Sequence, residues 1–119
     1  MAAVAGEKVK VAYEVVSEKA KIAVKRGVTA MKWDPFGKSY LEISNKDLNT
    51  ALECVAAVRD AVGNDVDLLI EGHGRFNVPT GIKIAKELEQ FSPMLFEEPT
   101  PPDNLEALKL VLFESSHVP

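Results

Sequence analysis

Ile70-Glu71-Gly72-His73-Gly74-Arg75 and Phe96-Glu97-Glu98-Pro99 decide how this chain is read, because each acidic signature follows a short apolar run and the two leading glutamates stand 26 residues apart. That interval fits one strand–helix–strand unit, with each apolar run a buried parallel strand and the stretch between them its crossover helix. Carboxylates at the C-terminal ends of neighbouring parallel strands converge on one point, an arrangement suited to a divalent cation.

Working outward, Val66 to Ile70 and Met94-Leu95-Phe96 are the two strands that carry the signatures. Upstream, Val28-Thr29-Ala30-Met31-Lys32-Trp33 is another compact apolar run, ended by Asp34-Pro35-Phe36-Gly37, where Pro and Gly demand a loop. Lys8-Val9-Lys10-Val11-Ala12-Tyr13 alternates polar and apolar residues and reads as a first, half-covered strand. Between these lie helical patterns. Val16, Ala20, Ala23 and Val24 recur at helical spacing up to Gly27, and Leu48, Leu52, Val55, Val58 and Val62 form one stripe between a Ser44/Asp47 capping box and Gly63. Pro79 suits the first turn of a third helix with Ile82, Ala85 and Leu88 inside. Asp103 and Glu106 repeat the capping-box spacing ahead of Leu105, Leu108 and Leu112 in a fourth. The order βαβαβαβα predicts an α/β fold, a partial (β/α) barrel of about four parallel strands alternating with four helices. No repeat or linker interrupts residues 1–119, which read as one partial barrel domain.

The chain's 119 residues are about half of the ~250 that an eight-stranded β/α barrel uses. Such a half leaves two strand edges and an inner face uncovered, so the chain is expected to complete itself as a homodimer or higher homo-oligomer. A net charge of −4 offers nothing to attract nucleic acid or an anionic membrane, and neither is expected as a partner. The absence of an apolar run of 18 residues and the short, uncharged start Met1-Ala2-Ala3-Val4-Ala5-Gly6 lead to an expected cytoplasmic location. Cys54 is the single cysteine and falls within a helical pattern, where it serves as a small hydrophobe.

Glu71 and Glu97 are the candidate metal ligands, since a carboxylate just past a buried strand needs a cation or hydrogen bonds to compensate its desolvation. Two carboxylates with waters and substrate oxygens suit Mg2+, whereas solvated loop glutamates are the competing reading. His73 stands two residues beyond Glu71 and shares its face if strand geometry persists, which makes it a candidate general acid or base. A loop histidine bonded to a backbone carbonyl is the alternative. Lys32, inside an apolar run, either faces a polar centre where it stabilises negative charge or snorkels from a strand end. Asp34 follows at the same-face position, where it can pair with Lys32.

Taken together, Thr29 to Gly37, Leu69 to Phe76 and Leu95 to Pro99 resemble the enolase superfamily, in its mandelate racemase/muconate lactonizing enzyme branch, and within it the acid-sugar dehydratases of galactonate and mannonate type. The resemblance runs from about Lys8 to Pro119. It implies a Mg2+-dependent lyase that abstracts the proton α to a sugar-acid carboxylate through a metal-stabilised enediolate and then eliminates the neighbouring hydroxyl. By position, Glu71 and Glu97 match metal ligands, Lys32 the first lysine of a Lys-x-Lys motif, and His73 the dehydratase acid/base, with Glu98 a neighbouring carboxylate behind the ligands. Asp34 takes the place of the second lysine, which speaks against racemase chemistry with a lysine base, and Glu71 stands where aspartate is usual. The Tyr13 to Val16 connection leaves little room for a substrate loop. The family's capping domain, third metal ligand and distal histidine–aspartate dyad have no counterpart here, and Ser115 to Pro119 resembles the lead-in to a fifth strand. Two alternatives stand beside this reading. One is a catalytically silent barrel fragment that folds by oligomerising. The other is a flavodoxin-like binding module, which lacks a phosphate loop at Tyr13-Glu14-Val15-Val16.

Overall fold

The computed structural model describes the backbone of residues 7–115 and 119, and side chains from residue 13 onward. Its elements run α1 (Glu7–Lys25), β1 (Ala30–Trp33), α2 (Asn45–Val62), β2 (Asp67–Glu71), α3 (Val78–Leu88), a 3-10 turn (Glu89–Phe91), β3 (Leu95–Glu97) and α4 (Leu105–Glu114). The three strands form one parallel sheet in the order β1-β2-β3, each crossover being a helix. The chain is thus an α/β fold of barrel type.

The first expected strand is not formed. Lys8 to Tyr13 lies within the 19-residue helix α1, which also runs unbroken through Tyr13 to Val16, so the inference of a shortened substrate loop falls with it. Six alternating residues are too few to separate period 2 from period 3.6 when a helical pattern follows directly. Three strands, not four, are present among the described residues. The expected strand-five lead-in lies mostly outside them, although the Phe96 N–H donates to the Pro119 carbonyl at 2.9 Å on the outer edge of β3. The start at Met1 to Gly6 lies outside them too.

Helix α2 forms as its stripe predicts. Ser44 caps it by accepting from the Asp47 N–H at 3.1 Å, and Leu48, Ala51, Val55 and Val58 are buried. Asn77 caps α3, and Pro79 occupies its first turn. Ile84 joins Ala85 and Leu88 inside, while Ile82 is only partly buried. The α4 cap is Asn104, whose side chain accepts from the Ala107 N–H, and not Asp103. The apolar face of α4 is also displaced: Ala107 and Val111 are buried, whereas Leu105 is 73% exposed and Leu108 and Leu112 face outward. Small residues win there because Val111 packs directly over Gly81 of α3, where an added Cβ would lie 3.3 Å from Val111 Cγ2.

Alternation along the strands sorts the sheet into two faces. Leu68, Ile70 and Phe96, with Met31 and Trp33, point into the helical layer, in two apolar clusters centred on α1–α2 and on α2–α3–α4. Ala30, Lys32, Leu69, Glu71, Leu95 and Glu97 occupy the other face, which no helix of the described residues covers and where none of them is fully buried. Chemistry-bearing residues therefore collect on one side of the sheet.

Candidate active site at the strand ends

Register brings the two acidic signatures together. Glu71 is the direct Cα partner of Glu97 across β2 and β3, on the uncovered face. Lys32 lies one row back, opposite Leu69, and its Nζ donates to Glu97 Oε2 at 2.8 Å. That hydrogen bond and the ammonium charge hold the Glu97 carboxyl below its ordinary range against partial desolvation. The same bond raises Lys32, with Glu71 and Glu98 adding their negative charge. One ammonium thus stands among three carboxylates. Both partners are well exposed, so solvent screens the pair and its worth to stability is small.

Beyond β2 the backbone departs from strand geometry. His73 takes a left-handed φ of 55° and Gly74 follows at 63°, so the expected same-face placement of His73 with Glu71 does not arise from a continued strand. Instead the chain turns, and the His73 N–H donates to Glu71 Oε2 at 3.1 Å. Gly72 has no room for a side chain, since a Cβ there would meet the Glu98 carbonyl at 2.6 Å. The Gly72 and Gly74 N–H groups donate to the Glu97 and Glu98 carbonyls at 2.8 and 2.7 Å, which prolongs the β2–β3 pairing through the turn. Glu98 is itself left-handed, with φ 45°.

Asp34 does not pair with Lys32. Its carboxylate receives Arg75 Nη2, the Phe36 N–H at 2.8 Å, and His73 Nδ1 at 2.6 Å. Asp34 lies past the end of β1, in the loop that folds over β2, while Lys32 points to the open sheet face. Arg75 is the residue the sequence reading left without a role. It is only 16% exposed in its side chain, sits 5.4 Å from the Phe76 ring centroid, and also donates to the Gly37 carbonyl. The signal for it was its place within the Gly72-His73-Gly74-Arg75 stretch and the cost of burying a guanidinium without a carboxylate.

Two adjacent carboxylates are hard oxygen donors of the kind Mg2+ or Ca2+ prefers, and the surplus of negative charge around Lys32 favours a cation there. They suit such an ion in kind. In number they fall short alone, for no cluster of three His, Cys, Asp or Glu able to hold a metal occurs among the described residues. Cys54 is half-buried and burial pushes its thiol up, in keeping with a packing role. No helix of the described residues is long and apolar enough to cross a membrane.

Residues 15–119 match the family model for enolase C-terminal domain-like proteins. The chain is 50% identical over 93 residues to a D-gluconate dehydratase of Thermoproteus tenax, covering 78% of this chain and 19% of that protein. It is 40% identical over 96 residues to a D-gluconate/D-galactonate dehydratase of Picrophilus torridus, covering 81% and 24%. The chain therefore spans about a fifth to a quarter of the length of these curated relatives. Among solved structures, a mandelate racemase/muconate lactonizing enzyme from Jannaschia sp. superposes with a TM-score of 0.79 at 38% identity, over 87% of this chain and 28% of that one. A mandelate racemase/muconate lactonizing enzyme-like protein from Rubrobacter xylanophilus gives 0.77 at 38%, over 85% and 28%.

Proposed function

The chain belongs to the enolase C-terminal domain-like family, and on that premise we propose that its strand ends carry part of the site of an acid-sugar dehydratase. The observation that carries the reading is the register pair Glu71–Glu97 on the uncovered sheet face, with Lys32 and His73 hydrogen-bonded to it. Glu71 and Glu97 would hold Mg2+ as two of about six oxygen ligands, the rest coming from water, substrate or groups outside the described residues. Bound there, Mg2+ would supply Lewis-acid stabilisation of the charge that develops on a substrate carboxylate as its α-proton leaves.

The chain's own residues do the remaining tasks. Lys32 presents an exposed ammonium beside Glu97, where it attracts an acidic substrate and favours negative charge developing near it. His73 is 62% exposed in its side chain and offers an imidazole that would take up the α-proton and pass it to the departing hydroxyl, which leaves as water. The part-buried Arg75–Asp34 pair ties the loop after β1 to the turn after β2, which keeps both walls of the site in place. Gluconate and galactonate, the substrates named for the relatives, are the first sugar acids to try.

The test pairs Mg2+ binding with proton exchange. Calorimetric titration is expected to show Mg2+ binding that Glu71→Gln and Glu97→Gln each abolish. Incubation with gluconate or galactonate and Mg2+ in D2O is expected to place deuterium at C2 of recovered substrate or at C3 of the 2-keto-3-deoxy product. A chain that binds no Mg2+ and exchanges no proton defeats the proposal.

A second reading, self-association of a catalytically silent partial barrel, draws on the exposed α4 residues Leu105, Leu112 and Phe113, the last 80% exposed. Light scattering that shows a stable monomer at micromolar concentration removes it.

A further inference from the structure

The Asp34–His73–Arg75 cluster carries an inference about how the imidazole is set. We propose that Asp34 is the positioning residue of His73. It holds the proton of the neutral ring on Nδ1 and so leaves the Nε2 lone pair as the nitrogen that faces the substrate side. The inference deepens the dehydratase reading, in which His73 moves a proton, and names which ring atom does so.

Three observations support it. First, the Asp34 Oδ2 to His73 Nδ1 distance is 2.6 Å, and no described residue bonds the other ring nitrogen. A carboxylate is an acceptor only, so the hydrogen of that bond must sit on Nδ1. Second, Asp34 is not free to turn away. Arg75 Nη2 donates to both of its oxygens and the Phe36 N–H takes Oδ1, with the carboxylate 20% exposed and the guanidinium 16%. Third, the His73 side chain is 62% exposed although Nδ1 is tied to Asp34, so the ring is open to solvent. The left-handed backbone at His73 is the turn that brings the ring over Asp34, 39 residues earlier in the chain. The division of labour is that of a carboxylate that orients a histidine for proton transfer without itself taking the proton.

The same geometry predicts the outcome of an isosteric change. In Asp34→Asn the amide oxygen stays with Arg75, because a guanidinium has only donors to offer. The amide nitrogen is then left facing Nδ1, donates to it, and drives the ring proton to Nε2. A hydrogen bond to a charged group contributes enough to shift a tautomer ratio about tenfold, and the substitution should carry the ratio across unity.

The experiment is 15N imidazole NMR of the metal-free chain with His117→Gln as background, so that His73 is the remaining histidine of the two. Spectra are taken in mildly alkaline buffer, where a histidine ring is ordinarily neutral. The expected result is a dominant Nδ1–H tautomer in the parent and a dominant Nε2–H tautomer in Asp34→Asn, with Asp34→Glu restoring part of the parent pattern. Should Asp34→Asn fail to fold, Arg75→Lys, which loosens the carboxylate without removing it, is expected to dilute the Nδ1–H form. A parent spectrum dominated by Nε2–H, or the same tautomer ratio in parent and variants, overturns the proposal. Because the measurement needs neither metal nor substrate, failed dehydration would count against the functional reading alone, and a wrong tautomer against this inference alone.

Discussion

Arg59 offers the sharpest test of how the fold is held. Its guanidinium donates five hydrogen bonds to four carbonyls: two to Phe91, and one each to Ser92, Gly63 and Val66. It therefore ties the C-terminal end of α2 to the 3-10 turn before β3 and to the residues that open β2. Phe91 and Val66 present part-buried carbonyls, whereas those of Gly63 and Ser92 are exposed and can return to water. Arg59→Met keeps most of the apolar stem and removes every donor. At about 1.5–3 kcal/mol for a hydrogen bond to a charged group, the two part-buried acceptors amount to roughly 3–6 kcal/mol before any rehydration. Partial recovery of water leaves about 2–4 kcal/mol, a large share of the ~5–15 kcal/mol that holds a typical domain. Arg59→Lys should fall between, because a single ammonium cannot span carbonyls on three segments as a planar fork does. Urea unfolding followed by the fluorescence of Trp33, the only tryptophan, reads this directly. If Arg59→Met lies within about 0.5 kcal/mol of the parent at an unchanged slope, the bracket is not holding these segments together.

Three other outcomes follow from the site. Gly72→Ala should cost about 2 kcal/mol and raise hydrogen exchange at Gly74, since its Cβ would strike the Glu98 carbonyl and force β2 and β3 apart; an unchanged melt would refute the close approach. Glu98→Gly should stabilise by about 1 kcal/mol in urea unfolding, by relieving a left-handed residue that has a Cβ; a destabilised variant would mean that the side chain contributes more than its backbone costs. The Lys32–Glu97 pair should show a two-sided pH dependence. Glu97 is depressed below its ordinary 4.5, so its contribution is present above that value and lost as pH falls through the lower folded value. Lys32 is raised above 10.5, so its contribution is present below that value and lost as pH rises through the higher folded one. A double-mutant cycle with Lys32→Met and Glu97→Gln should give a coupling that is flat between these limits and vanishes beyond both; a coupling that survives acid would exclude the ion pair as its source.

What could be read from residue types was set by how local the physics is. The stripe Leu48, Val55 and Val58 and the capping Ser44 define α2 within eighteen residues, and the apolar run Val66 to Ile70 ahead of Glu71 marks β2. The pairing of Glu71 with Glu97 was legible because parallel strands joined by one helix bring their C-terminal ends together. The partners of Asp34 were not. They depend on where the loop after β1 folds, which the Leu41 N–H and carbonyl settle through bonds to the Arg75 carbonyl and the Asn77 N–H. Helix α4 misled for a related reason: its leucines form the stronger stripe, but Gly81 on α3 admits Val111 more closely than it would admit leucine.

The backbone around the site assigns its strain in a telling order. Glycine occupies 72, where a neighbouring carbonyl leaves no space, and 74, where φ is 63°. Between them His73 sits at φ 55°, and across the sheet Glu98 sits at φ 45°, both positions where glycine would cost less. Neither residue gains compensating burial, since both are exposed. Packing alone therefore gives no reason for side chains there. What the left-handed turn at His73 does achieve is to aim one ring nitrogen at Asp34 while the His73 N–H holds Glu71, and the turn at Glu98 sets a third carboxylate beside Lys32 immediately after Glu97. Local strain that stability does not explain, placed on both sides of a convergent pair of carboxylates, is the pattern expected where chemistry rather than folding selects the residue.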